Sequence, residues 1–479
     1  MKSVHKKNRV ATRRSSWAAL GAGALALSLM VLGSPLESSA ASGNDSTIVY
    51  SVHPIAIQAS RSLAAAGFAP GSCIAIAGLA CYGPQTFHTA YQVPWTINSH
   101  LAGTGEQVAI VDAFGSPTVA QDLSVFDSEF GLPPADLHIY YPTGKVPFDP
   151  NFQHGLQVGW AEETSLDVQT VHDLAPGARI NLIVASSPYG NDLNVAERFA
   201  VANHLGNVMT MSFGSPESAI KGGGNNLQLQ QADAIYRQAS SQGISVFASS
   251  GDSGASNGGA FANASFPASD PSVTAVGGTD LFVAADNNPS ANSSSTDGTY
   301  SGETAWNDSY PATCPFGCSQ GTFGATGGAP SSVFSASSYQ AAVSGLSMRS
   351  TSDVSFNASV YTATMIYLGF LGANSSFYFF GGTSEASPSW AAITADLDQA
   401  AGQGMGLLNP KLYALAASPS TYSQDFHDVS IGNNQLPFPS APGYPAGAGY
   451  DLPTGLGTPI VSGLMKSLAP SATLSFIQP

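Results

Sequence analysis

The chain has 479 residues, of which 31 are acidic and 15 basic. The first 40 residues hold six of the basic side chains and one acidic one, which leaves nine basic against 30 acidic in the remainder, a net of −21. Such a surface makes nucleic acid and anionic membranes poor partners, and few lysines and few ion pairs suit a protein that stays folded in acid.

The chain opens as an export signal. Six basic residues between Lys2 and Arg14 precede an apolar run from Trp17 to Leu32, and Ser38-Ser39-Ala40 offers a small-residue cleavage site. This layout is a secretory signal over residues 1–40, too short for a convincing membrane span. Thr12-Arg13-Arg14 keeps a twin-arginine route open. No later stretch is apolar enough to cross a bilayer, so a soluble, secreted protein is expected. Residues 41–80, rich in Ala, Ser and Gly, read as a short propiece or N-terminal extension. Four cysteines remain, Cys73, Cys81, Cys314 and Cys318. Export favours disulfides over zinc, with Cys73–Cys81 and Cys314–Cys318 as the local pairings.

From Gly105 onward, β-branched runs alternate with helical periodicity. Strands are predicted at 108–111, ending at Asp112, and at 180–184, 208–212 and 244–248. Helices are predicted at 117–130, 160–174, 191–204 and 226–241. This alternation argues for an α/β fold with a mostly parallel sheet flanked by helices. Reactive groups in such sheets gather at the carboxyl ends of the strands. The Gly-, Ser- and Asn-rich stretch 285–330 reads as long surface loops.

Within the helix 160–174, Trp160, Glu163, Asp167, Val171 and Leu174 fall on one stripe. Glu162, Ser165, Gln169, His172 and Asp173 form the opposite, polar face. Glu163 and Asp167 therefore sit on the inward arc, one turn apart. Two inward carboxyls are costly unless they are paired, hydrogen-bonded or partly neutral, and a shared proton raises one pKa. Lining of a watery groove is the plainer alternative. Asp252 follows the strand 244–248 in Ser250-Gly251-Asp252-Ser253-Gly254, where glycines permit a tight turn; an Asx turn is its ordinary reading. Gly381-Gly382-Thr383-Ser384-Glu385-Ala386-Ser387-Pro388 delivers Ser384 to the first turn of a helix predicted to run to about Gln399. Unpaired N–H groups and partial positive charge at a helix start suit a nucleophile with oxyanion donors nearby. A serine N-cap with a first-turn proline is the ordinary alternative.

In this order the motifs resemble the sedolisins, or serine-carboxyl peptidases. Glu163-x-x-x-Asp167 resembles the family's acid pair, Ser-Gly-Asp252-x-Gly its oxyanion aspartate, and Gly382-Thr383-Ser384-x-x-x-Pro388 its nucleophile motif. Pro271 to Thr279 and Glu303-Thr-Ala-Trp-Asn307 are supporting matches, and the resemblance runs from about Cys81 to Ser462. It implies a subtilisin-like fold over residues 81–479 and endopeptidase activity on proteins or peptides in acid. It also implies roles: Ser384 as nucleophile, Glu163 as general base, Asp167 as its orienting partner, and protonated Asp252 as donor to the oxyanion. The family's large propiece has no counterpart of similar size before Cys81. One Ca²⁺ is implied at Asp428, Val429, Gly447, Gly449 and Asp451, through two carboxylates and three backbone carbonyls, a donor set suited to a hard cation.

Two rivals remain. Val108-Ala-Ile-Val-Asp112 and His154-Gly155 resemble parts of a neutral subtilisin-type protease, but His154 lacks the following Thr-His; Asp112 is read as a structural or binding residue at the sheet end. An inactive exported binding protein of the same fold is the second rival, disfavoured because all four catalytic positions are present. A monomer is expected.

Overall fold

The computed structural model describes residues 47–93, 102–284, 298–309, 324–437 and 443–470. The signal expected over 1–40 and the Cys314–Cys318 pairing lie outside these residues. At the centre is an eight-stranded sheet. Its order is Tyr300–Ala305, Thr274–Val283, Ser245–Ser249, Val208–Met211, Gln107–Ala113, Arg179–Ala185 and Asp136–Tyr140, with Val354–Asn357 also pairing to Thr274–Val283. All these pairings are parallel except that of Tyr300–Ala305. The sheet is buried on both faces, which is why its strands read as near-continuous apolar runs rather than alternating ones.

Side chains alternate across each strand and feed two cores. Val108 and Ile110 pack on one face with residues of two long helices, Leu156–Leu174 and Thr383–Ala401. Ala109 and Val111 pack on the other with the helices Gly190–Ala202 and Leu227–Ser241. A second sheet orders Ile55–Gln58, Ser376–Gly381, Thr362–Leu368 and Ala80–Tyr82. Cys73 and Cys81 form a disulfide beside it. Among the described residues, no helix is long and apolar enough to cross a membrane.

Two expectations change. The stretch 285–330 is not wholly loop: Tyr300–Ala305 is a strand, antiparallel to Thr279–Val283, with Glu303 and Ala305 buried. Its weak signal is physical, because Tyr-Ser-Gly-Glu-Thr-Ala has a central glycine and few strand-favouring side chains. The helix Leu156–Leu174 has no solvent face either. Glu162, Ser165, Gln169, His172 and Asp173 are buried along with the opposite stripe. The second sheet and a neighbouring segment supply partners to Gln169 and His172. Gln169 exchanges two hydrogen bonds with the backbone of Tyr367, each 2.9 Å, and His172 Nε2 lies 2.8 Å from the Pro133 carbonyl.

Candidate active site

The strand Ser376–Gly381 runs straight into the helix Thr383–Ala401. Gly382 turns between them at φ +130°, a backbone region that disfavours side chains, and an added Cβ would meet Asp252 Oδ2 at 2.8 Å. Gly382 is thus the helix cap, and Ser384 is the second helical residue rather than an N-cap. Pro388 lies inside the helix, past its first turn. Ser384 is 3% exposed, and its hydroxyl donates to the Ser212 carbonyl at a long 3.4 Å.

Glu163 and Asp167 lie on the helix Leu156–Leu174 with no exposed surface. Burial pushes the Glu163 carboxyl well up, and the charge of Asp167 adds to it; the nearby Ser384 hydroxyl acts the other way. Neither Glu163 oxygen has a well-formed hydrogen bond, so the Ser384 hydroxyl has only to swing from Ser212 to find an acceptor. Asp167 is also raised, by burial and then by Asp112, and Ser212 Oγ contacts its Oδ1 at 2.8 Å. Asp112 closes the cluster. It sits near the carboxyl end of Gln107–Ala113, fully buried, and burial lifts it to about 7 against the opposing Thr164 hydroxyl. Three buried carboxyls that feel one another's charge share protons, because ionising all of them is prohibitive.

Asp252 approaches from the turn after Ser245–Ser249. The Thr383 N–H and hydroxyl donate to its Oδ1 at 2.8 and 2.6 Å. Burial raises its carboxyl to about 6, and these two bonds oppose the rise. Gly251 turns at φ +105°, and a Cβ there would strike Asn257 Oδ1 at 2.0 Å; this is the tight turn that the glycines promised. Ser384, Thr383 and Asp252 line one cavity of about 60 Å³ together with Ser212 and Gly214. A serine beside a proton-sharing carboxyl cluster, with an acid held neutral below pH 6 across the cavity, is equipped for acyl transfer in acid.

The four residues picked from sequence therefore converge. Three others were missed as site residues: Asp112, Ser212 and Thr383. Asp112 and Ser212 each fell at the end of a predicted strand, which was the available signal. His154 is exposed in the turn before the acid helix and does not line this cavity.

The Subtilase family matches residues 141–416, which include Glu163, Asp167, Asp252 and Ser384. Kumamolisin of Bacillus sp. (strain MN-32) is 31% identical over 409 residues, covering 82% of this chain and 64% of kumamolisin. Sedolisin of Pseudomonas sp. (strain 101) is 31% identical over 422 residues, covering 85% of this chain and 63% of sedolisin. The chain thus spans less than two thirds of the length of either relative. A solved structure of Pseudomonas sedolisin, a serine-carboxyl proteinase complexed with two molecules of pseudo-iodotyrostatin, matches with a TM-score of 0.66 and 30% identity, over 81% of this chain and 97% of that one. The chain belongs to the sedolisin family. A further relative is tripeptidyl-peptidase sed5 of Aspergillus fumigatus, 30% identical over 238 residues, 47% of this chain and 38% of that protein.

In this sedolisin-family chain the expected cation loops do come together. Asp428 accepts from the Gly449 N–H at 3.0 and 3.1 Å through its two oxygens. Asp451 accepts from the Gly447 N–H at 2.8 Å and from Thr454. Thr454 Oγ1 also reaches the Val429 carbonyl at 3.4 Å. Burial lifts Asp451 to about 6, with a last contribution from Asp428. Asp428 and Asp451 thus gather in one loop cluster with the Val429 carbonyl, and the two glycines donate N–H groups to the acids. Among the described residues, no three His, Cys, Asp or Glu side chains form a metal cluster.

Proposed function

We propose that this protein is a secreted, acid-acting serine-carboxyl endopeptidase that hydrolyses protein or peptide substrates through an acyl-enzyme on Ser384. One observation carries the reading: the Ser384 hydroxyl lies beside a buried Glu163–Asp167–Asp112 carboxyl cluster and shares a cavity with Asp252. Glu163 takes the serine proton as Oγ attacks the peptide carbonyl, and Asp167 holds and shares that proton. Protonated Asp252 donates to the oxygen that gains negative charge, a role its ionised form would oppose. Glu163 then returns the proton to the leaving amine, and water repeats the cycle on the ester.

Endopeptidase action is preferred to tripeptidyl release, the activity named for the Aspergillus relative. Supporting this, an extended segment of the chain itself passes the serine on both sides, pairing with Gly214 before it and Gly381 after it. A polypeptide need not end at the nucleophile. A single Ca²⁺ held by Asp428, Asp451 and the carbonyls of Val429, Gly447 and Gly449 would cross-link C-terminal loops and add stability rather than chemistry. Residues 1–40 direct export and are then removed, leaving residues 41–80 as a short extension before the peptidase domain, and the protein acts as a monomer. Digestion of casein between pH 2 and 8, with internal fragments scored by mass, tests the reading. Release of tripeptides alone would replace it with the exopeptidase, and a neutral optimum with the histidine-based subtilisin type. Inactivity at every pH would leave the binding protein.

A further inference from the structure

A second buried carboxyl pair lies outside the catalytic cavity. Asp308 follows the strand Tyr300–Ala305, and Asp280 belongs to the strand Thr274–Val283. Both are buried, and neither lines the space beside Ser384. Asp308 grips one short segment. The Ser359 hydroxyl contacts its two oxygens at 2.8 and 3.0 Å, and the Val360 N–H donates to Oδ2 at 2.9 Å. The Tyr361 hydroxyl donates to the Asp308 carbonyl at 3.0 Å. One aspartate thus fixes three consecutive residues.

The same segment carries the nucleophile turn. The Gly382 N–H donates to the Ala358 carbonyl at 2.7 Å. Gly381 packs so closely that an added Cβ would meet the Ala358 oxygen and the Val360 nitrogen, both at 2.7 Å. The Ala358 N–H in turn donates to the Thr279 carbonyl at 2.9 Å, one residue before Asp280. Two acids therefore hold the turn that aims Ser384: Asp252 through Thr383, and Asp308 through residues 358–360.

Asp280 backs this grip. The Thr304 hydroxyl donates to its Oδ2 at 3.0 Å. Burial lifts Asp280 to about 6, and the hydroxyls of Ser359 and Thr304 oppose the rise. Burial also lifts Asp308 well above its usual range, and the charge of Asp280 adds to that. Two carboxyls that feel one another's charge share a proton rather than both ionise. Such a pair holds in acid, where an ion pair would lose its carboxylate charge.

We propose that Asp308, backed by Asp280, is a positioning residue for the nucleophile: through Ser359 and Val360 it fixes the Gly381–Gly382 turn and so the place from which Ser384 attacks. The inference rests on the peptidase reading, in which a shift of the reacting oxygen by about 1 Å costs on the order of a hundredfold in rate.

Hydrolysis of casein peptides by the full chain tests this, with rates taken per folded protein well below each melting temperature. Asp308→Ala should lower kcat at least about tenfold while KM stays within about twofold. Asp308→Asn keeps an oxygen for the Val360 N–H and should recover most of the loss. Ser359→Ala deletes a single hydroxyl and should lower kcat a few fold with the same split, which carries the test if Asp308→Ala does not fold. A lower melting temperature with kcat unchanged makes the pair merely structural and overturns the proposal; so does a rise in KM at constant kcat. Amide exchange reads the turn apart from turnover. Gly382 N–H should exchange at least about tenfold faster in Asp308→Ala, with the amides of Leu227–Ser241 unaffected. Faster exchange in a protein whose unmodified form cleaves nothing sinks the peptidase reading and keeps the grip on the turn. Cleavage by the unmodified protein, with exchange and kcat both unchanged in Asp308→Ala, does the reverse.

Discussion

Pro388 stands four residues after Ser384 and leaves the Ser384 carbonyl without its helical donor, since proline has no N–H. Ser212 Oγ fills the gap at 3.3 Å and also touches Asp167 Oδ1 at 2.8 Å. A hydroxyl has one proton. That proton goes to Asp167 Oδ1 at the shorter distance, which favours the ionised form against the burial that raises this carboxyl; protonating Asp167 frees it for the Ser384 carbonyl. The proline therefore ties the nucleophile's backbone to the protonation of the acid pair.

Ser212→Ala should for this reason lower kcat by about tenfold with less change in KM, and reduce stability by about 1–3 kcal/mol through the unsatisfied carbonyl. Steady-state kinetics and chemical denaturation measure both. A variant with unchanged kcat would show that the link plays no part in turnover.

Activity should be lost as pH rises through about 6, where Asp252 gives up the proton that it donates to the oxyanion. The Thr383 hydroxyl bond favours the ionised form, so its removal raises the pKa. Thr383→Val should move the alkaline limb upward by roughly one pH unit. A limb that stays in place or moves down would remove Asp252 from the oxyanion role.

Stability should be greatest in acid. Burial raises Asp112 and Asp270 to about 7 and Glu162 and Glu197 to about 8, and lifts Asp396 well above its usual range. The folded state thus keeps protons that the unfolded chain releases near pH 4. This contribution is complete below pH 4 and is lost as pH climbs through 6 to 8. With chelator present, the melting temperature should fall by more than about 10 °C between pH 4 and 8. A rise over that range contradicts the account.

Calcium should act oppositely. Its carboxylates must be ionised, and Asp451 titrates near 6. Chelation, or Asp451→Ala, should lower the melting temperature by several degrees at pH 7 and leave it unchanged at pH 3. No change at pH 7, with no metal accompanying the purified protein, removes the site.

Much of this was legible in the sequence. The four strands ending near Asp112, Val184, Ser212 and Ala248 carried enough β-branched residues to reveal themselves, and helical phase alone put Glu163 and Asp167 on one face. What covers the polar face of that helix was not legible, because Tyr367 is some 200 residues away in sequence and no local pattern reports it. Asp112 was placed at the sheet end, but its joining the acid cluster depends on how the acid helix packs across the strand. The role of Ser212 depends in turn on the missing N–H of Pro388, which a first-turn reading of that proline concealed.

The central claim is that a buried carboxyl, not a histidine, activates Ser384. The most direct test is the pH–rate profile of peptide hydrolysis for the unmodified protein, Glu163→Gln and His154→Ala, with Ser384→Ala as blank. The account predicts an acid optimum, a loss of at least about two orders of magnitude in kcat for Glu163→Gln, and an unaltered profile for His154→Ala. Full activity in Glu163→Gln, with a rise through pH 6 to 8 that His154→Ala abolishes, would contradict it.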